Sequence, residues 1–171
     1  MRPSLNYIRP EAVCAEIGVW KGEFSRLILK KSPKRLHLID PWVSQYAGSN
    51  KWYSCPQPTL DSKFEAVSSL FDEDPRVEIH RQFSADAKFK KKYFDWVYID
   101  GDHNYEVVKS DLYKYYELIK QGGFLCGHDY GPTGVDTNGG PKRAVDEFIK
   151  EKGERLLVKG DCRDFVIKVS V

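Results

Sequence analysis

The sequence predicts an α/β protein in which a mostly parallel sheet lies between two layers of helices. Three observations carry this reading. Short apolar β-type runs alternate with longer stretches of helical periodicity along the 171 residues. The central runs are apolar at nearly every position, as in Phe94 to Asp100 (FDWVYID), which suits strands buried on both faces. The chain closes with two strands joined only by the turn Lys159-Gly160-Asp161, which implies one antiparallel strand at the sheet edge.

Taken in order, Ala12 to Gly18 (AVCAEIG) reads as a buried strand ending on glycine. Glu23 to Lys31 is a helix: Phe24, Leu27 and Ile28 share a face, lysines fill the last turn, and Pro33 stops it. Arg35 to Asp40 (RLHLID) is the second strand, closed by Pro41. Trp42 to Pro58 has no clear period and reads as a loop; a helix from about Thr59 to Phe71 and a third strand at Val77 to Arg81 follow. After the fourth strand at Phe94, a helix spans Tyr105 to Lys120, with Val108, Leu112, Tyr115 and Ile119 in a stripe. Gly122-Gly123 caps it, and Phe124 to Gly127 is the fifth strand. A Gly/Pro-rich loop from Tyr130 to Pro141 leads to a helix at Lys142 to Lys152. Strands near Arg155 to Val158 and Asp164 to Val169 complete the order βαβαβαβαβαββ, seven strands in a single domain over residues 1–171 with no separate cap domain.

Composition narrows the function classes. Apolar residues make up 41%, charged residues 30% and aromatics 13%, as in ordinary globular domains. A formal charge of +2 lacks the basic excess of a nucleic-acid binder, and the short run Lys88 to Lys92 (KFKKK) reads as a solvated helix face or turn. The N-terminus has no apolar signal segment, and no apolar run approaches the roughly 20 residues that span a bilayer. A cytoplasmic protein without membrane or nucleic-acid partners is expected. The four cysteines (Cys14, Cys55, Cys126, Cys162) are scattered without metal-type spacing and read as free thiols.

Three clusters carry chemistry. Glu16, Gly18 and Gly22 lie at the first strand-to-helix turn; Gly18 permits close approach of a ligand or serves only the turn. Trp20 stands where a dinucleotide fingerprint would need its second glycine, so the loop suits a ligand without pyrophosphate. Asp40, 24 residues after Glu16, ends the second strand, where a carboxylate accepts hydrogen bonds from a ribose diol or merely closes the strand before Pro41. At the ends of strands four and five, Asp100, Asp102, His103, His128 and Asp129 can converge to bind a divalent cation or to act as general acid and base. The plainer alternative makes Asp102 or Asn104 a helix cap and the histidines satisfied packing residues.

The motifs EIGVWKGEFS, LIDPW, FDWVYIDGDHNYE and GGFLCGHDYG, followed by the AVDEF helix, resemble the class I S-adenosylmethionine-dependent methyltransferases in order and spacing. More narrowly they are similar to the small-molecule and sugar O-methyltransferases with IDGDHxYE and GHDY motifs. The resemblance spans roughly residues 10 to 170. It implies a Rossmann-like three-layer sandwich with a seven-stranded sheet and one antiparallel strand. It implies S-adenosylmethionine held by Glu16, Gly18, Trp20, Gly22, Asp40 and Asp100, with adenine near Ser84 and Asp86. Metal-dependent relatives imply a magnesium or manganese site at Asp100, His128 and Asp129, with Asp102 as the base; in the alternative without a metal, His128 or His103 is the base. A histidine in place of an acidic ligand departs from the magnesium pattern. The acceptor is expected to be a small molecule or sugar hydroxyl, lying between the aromatic segment Trp42 to Tyr53 and the loop Tyr130 to Gly140. Because the chain starts almost at strand one, an open site, or one completed by a second subunit in a homo-oligomer, is expected. The competing readings are a metal-dependent hydrolase built on the Asp/His rim and a non-catalytic adenosylmethionine-binding domain.

Overall fold

The computed structural model describes residues 2–44, 55–131, 140–158 and 163–170. Its strands are β1 (Val13–Ile17), β2 (Arg35–Ile39), β3 (Val77–His80), β4 (Phe94–Ile99), β5 (Ile119–Gly127) and β6 (Phe165–Lys168). Its helices are α1 (Glu23–Leu29), α2 (Gln57–Phe71), α3 (Tyr105–Leu118) and α4 (Gly140–Lys152), preceded by a 3-10 turn at Pro3–Tyr7. The strands form one sheet in the order β3-β2-β1-β4-β5-β6. All neighbours are parallel except β5 and β6, which pair antiparallel from Phe124↔Lys168 to Gly127↔Phe165.

Alternation along each strand sends side chains into two cores. Ala15, Ile39, Val97 and Leu125 pack beneath α3 and α4 through Leu112, Tyr115 and Phe148. Cys14, Leu36, Leu38, Trp96 and Tyr98 pack on the other face with Ile28 of α1, Val67 and Phe71 of α2, and Ile8 beside the N-terminal turn. Cys14 and Cys126 are buried free thiols, as expected.

The sheet has six strands among the described residues rather than seven. The segment expected as a strand at Arg155 to Val158 makes only a single antiparallel bridge, Leu156↔Ile167, on the outer side of β6. Its neighbouring turn, residues 159–162, lies outside the described residues. The helix expected to reach Lys120 stops at Leu118, and Gly122-Gly123 lie inside β5 instead of capping it. The reason is packing: buried Ile119 pairs with Phe94, and a Cβ at Gly123 would stand 2.8 Å from the Asp95 carbonyl oxygen. No helix separates β3 from β4; the lysine-rich segment is non-helical, with Ala87 buried. Among the described residues, no helix is long and apolar enough to cross a membrane.

Candidate functional site

The order 3-2-1-4-5-6 reverses direction between β1 and β4, and ligands in such sheets sit beyond the carboxyl ends of the strands at that switch point. Glu16, Gly18, Asp40, Asp100 and Asp129 all lie at or just beyond those ends, on β1, β2, β4 and β5. Ile17 pairs with both Ile39 and Ile99, so the three central strands end level.

The turn after β1 is held in an unusual backbone shape. Gly18, Trp20 and Gly22 all have positive φ, at 85°, 56° and 74°. At Gly18 the reason is the neighbouring chain: a Cβ would meet the Asp100 carbonyl oxygen at 2.2 Å. The glycine is therefore demanded by the crossing of two loops, whatever ligand lies above it. Trp20 is held left-handed by Asp40, whose Oδ2 accepts N–H bonds from Val19 at 2.9 Å and Trp20 at 3.0 Å. Asp40 Oδ1 accepts from Trp42 N at 2.8 Å, and the Trp42 indole donates back to the Trp20 carbonyl at 3.0 Å. Burial raises the Asp40 pKa, and these three backbone donors oppose that rise. A carboxylate offers about four acceptor positions, and bonds from the described residues take up three of those on Asp40.

Glu16 is 1% exposed, on the α1 side of the sheet, and accepts from Ser25 Oγ at 2.5 Å. Burial raises its pKa to about 8, against the hydrogen bond from Ser25. The turn after β3 is fastened by α3: Lys114 Nζ donates to the carbonyls of Ser84, Ala85 and Ala87 at 2.6–2.7 Å, and Tyr115 Oη to Ser84 at 3.1 Å. Ser84 thus sits on a rigid ledge next to β2, with Asp86 exposed beside it.

On the rim of β4 and β5, two histidines face two carboxylates. His103 Nδ1 lies 3.2 Å from Asp129 Oδ2, and His103 Nε2 lies 3.9 Å from Asp100 Oδ1. His128 Nδ1 lies 3.3 Å from Asp129 Oδ1 and 3.8 Å from Asp100 Oδ1. Contact with Asp100, reinforced by Asp129, raises the His103 pKa despite partial burial. His128 holds the Asp129 carboxyl below its usual range. Asp102 and Asn104 build the helix start: Asp102 Oδ1 accepts from Asn104 N at 2.7 Å, and Asn104 Oδ1 caps α3 through Glu106 N at 3.0 Å.

Of the five residues expected on the rim, Asp100, His103, His128 and Asp129 are brought together while Asp102 serves the helix start, and the cation-type trio differs from expectation. Asp100, His103 and Asp129 offer ligand atoms within 4.8 Å of one another, so His103 joins this trio where His128 was expected. Mixed imidazole and carboxylate donors suit manganese or zinc better than magnesium, which favours all-oxygen shells. The aromatic and glycine-rich acceptor segments fall largely in residues 45–54 and 132–139, outside the described residues.

A second network beside this rim has no signature in local pattern. Buried Asp164, just before β6, accepts from Ser4 Oγ at 2.6 Å and Tyr98 Oη at 3.0 Å, with Arg2 at 3.4 Å. Arg2 also donates to Tyr98 Oη and stands 3.7 Å from Asp100, tying the N-terminal turn to the site. Only tertiary contact identifies these residues, because each is an isolated polar side chain in its own segment.

Comparison with known proteins bears on the fold and the family. None of the curated proteins matches the chain significantly. Among solved structures, the N-methyltransferase NodS from Bradyrhizobium japonicum superposes with a TM-score of 0.65 at 11% identity, covering 95% of this chain and 88% of its own. The ribosomal protein L11 methylase of Lactobacillus delbrueckii subsp. bulgaricus gives 0.63 at 12% identity, covering 99% and 76%. A Streptococcus mutans protein assigned as a methyltransferase and solved with S-adenosylhomocysteine gives 0.61 at 12% identity, covering 95% and 90%. At these identities the likeness concerns the fold. The sequence model of the methyltransferase domain matches residues 15–130, more than half of the 171 residues and the whole run from β1 to the rim of β5, so the chain belongs to the S-adenosylmethionine-dependent methyltransferase family.

Proposed function

We propose that this methyltransferase acts on a hydroxyl oxygen of a small molecule or sugar, with His103 as the general base. The observation that carries the reading is the pair His103–Asp129, 3.2 Å apart at the ends of adjacent strands. A carboxylate on Nδ1 orients an imidazole and leaves Nε2 to take a proton, the logic of any acid-oriented histidine base. An amine acceptor has less need of such a base, whereas a hydroxyl must lose its proton as it attacks. The motifs IDGDHNYE and GHDY, similar to those of sugar and small-molecule O-methyltransferases, support the same choice.

When bound, S-adenosylmethionine supplies an activated methyl group on a sulfonium. The chain's own task is then positioning. In this reading the left-handed turn at Gly18 to Gly22 and Asp40 receive the nucleoside. The Ser84–Asp86 ledge borders the base, and Glu16 and Asp100 line the floor. His103 Nε2 would take the acceptor hydroxyl's proton as its oxygen becomes the nucleophile for the methyl group that the cofactor would supply. A second reading, favoured by the compact trio Asp100, His103 and Asp129, has a divalent cation held there lowering the acceptor's proton affinity. Family membership sets the hydrolase alternative aside.

The test is an acceptor screen that follows S-adenosylhomocysteine release over sugars, phenols and amines, with products located by NMR. O-methyl products lost in His103→Asn support the reading. Products methylated only on nitrogen or carbon overturn it. Full activity in a chelator removes the metal version.

A further inference from the structure

We propose that His37, Glu78 and His80 form a binding site for a zinc-class divalent cation on the β2–β3 edge, separate from the methyl-transfer rim. The three residues come from two adjacent parallel strands. His37 pairs with Glu78 and Ile39 with His80, so the period of two turns all three side chains to the α3 side of the sheet. The segment leading from β3 to β4 lies over that corner with Phe89 and Tyr93.

The donor spacing is that of a coordination polyhedron. His37 Nδ1 stands 2.9 Å from His80 Nε2 and 3.6 Å from Glu78 Oε2, while His80 Nε2 lies 3.6 Å from the other carboxylate oxygen, Oε1. Ligands at zinc distances on a tetrahedral ion stand roughly 3.3–3.6 Å apart. To admit the ion, the imidazole pair must open by about half an ångström and Glu78 must bind through both oxygens or turn one toward both rings.

The surroundings favour ligation over charge. His37 is 2% exposed, and its other nitrogen, Nε2, meets Tyr93 Oη at 3.2 Å. Metal-bound histidines commonly donate their second N–H to such an oxygen, which fixes the tautomer and leaves the first nitrogen bare. Phe89 stands edge-on to both imidazoles, with centroids 5.1 and 5.4 Å away, and Phe94 closes the His37 side. Burial lowers both histidine pKa values, that of His37 to about 4. Glu78 is 47% exposed and pairs with Arg35 at 3.4 Å, a surface contact that can swing aside as an ion enters. An ion there would tie edge strand β3 to β2, next to the strand end that carries Asp40.

The test uses the full chain, stripped of metal and titrated with Zn²⁺ alone, then with Co²⁺ as a spectroscopic probe. About one equivalent should bind at this site, with a rise in Tm and the visible bands of a low-symmetry Co²⁺ site with nitrogen and oxygen ligands. His80→Gln and Glu78→Gln should each weaken this uptake by roughly tenfold or more, at least the loss seen on removing a supporting contact. Asp129→Asn should leave it unchanged. Far-UV circular dichroism confirms that each variant folds, and Glu78→Gln, at a half-exposed position, keeps the test valid if His80→Gln does not. The proposal falls if the wild type takes up no ion. It also falls if uptake survives both substitutions, shows a cobalt–thiolate band, or vanishes in Asp129→Asn.

Discussion

Gly18 and Asp100 stand so close that a Cβ on the first would lie 2.2 Å from the main-chain oxygen of the second. The contact joins the turn after β1 to the end of β4, the two walls of the switch-point crevice. Gly18→Ala must either push Asp100 away or leave the left-handed region at φ 85°. Left-handed strain of about 1–2 kcal/mol and overpacking of about 1–3 kcal/mol add here. Denaturant unfolding should show a loss of about 2–5 kcal/mol, and calorimetry should show S-adenosylhomocysteine binding weakened beyond detection.

Glu16 makes stability depend on pH. Its folded pKa is raised from 4.5 to about 8 by burial, so between those values the unfolded chain has released a proton that the folded chain keeps. Stability from this group is therefore greatest at low pH and declines as pH rises through that window, by at most about 1.4 kcal/mol per pH unit. Glu16→Gln should flatten the decline, read as the wild-type minus variant difference in Tm from pH 5 to 8. An unchanged slope would show that Glu16 ionises freely.

His103 and Asp129 should separate chemistry from binding. His103→Asn is expected to lower kcat by roughly 10²–10⁴-fold, the range for a lost general base. The Kd for S-adenosylhomocysteine should stay within about threefold of wild type. Asp129→Asn, which leaves the imidazole without its orienting carboxylate, should lower kcat by a smaller factor. Equal losses in kcat and cofactor affinity for His103→Asn would make it a structural residue.

Asp164 anchors the N-terminal turn from a position 2% exposed. Asp164→Ala strands Ser4 Oγ and Tyr98 Oη and frees Arg2 beside Asp100. Removing one partner of such a buried polar network costs about 3–5 kcal/mol. Urea unfolding should show that loss, and proteolysis should cut first near residue 8 in the variant.

Lys114 acts on the ledge after β3 through three carbonyl contacts. Lys114→Met keeps the stem but removes all three, releasing the backbone around Ser84. KM for S-adenosylmethionine should rise about tenfold while kcat at saturation changes little. A fall in kcat alone would place this turn outside the cofactor site.

Local pattern makes much of this fold legible. Apolar runs such as Phe94 to Asp100 suit strands buried on both faces, and Pro33 and Pro41 end elements because proline lacks a donor. The boundaries that local pattern misplaced have a tertiary cause. Ile119 continues a helical stripe in sequence, yet its pairing with Phe94 draws it into β5. Residues 155–158 have strand character, yet they sit at an outer edge where one bridge to Ile167 is the only ladder contact made.

The site divides in the same way. Sequence alone determined the class of chemistry: an acidic residue and glycines at the first turn, an aspartate after the second strand, and Asp/His motifs after the fourth and fifth. These are legible because backbone turns at strand ends demand particular residues at short, regular spacing. Tertiary structure decided how each residue is used. Asp40 binds the loop's own amides, Gly18 makes room for Asp100, and His103 rather than His128 completes the compact trio with Asp100 and Asp129. The same holds for Arg2, Tyr98 and Asp164, and for His37 with His80, which lie 96, 66 and 43 residues apart and meet only when the sheet assembles. Period and spacing report what a segment can do locally, whereas a contact between distant segments exists only once folding has brought them within a few ångströms.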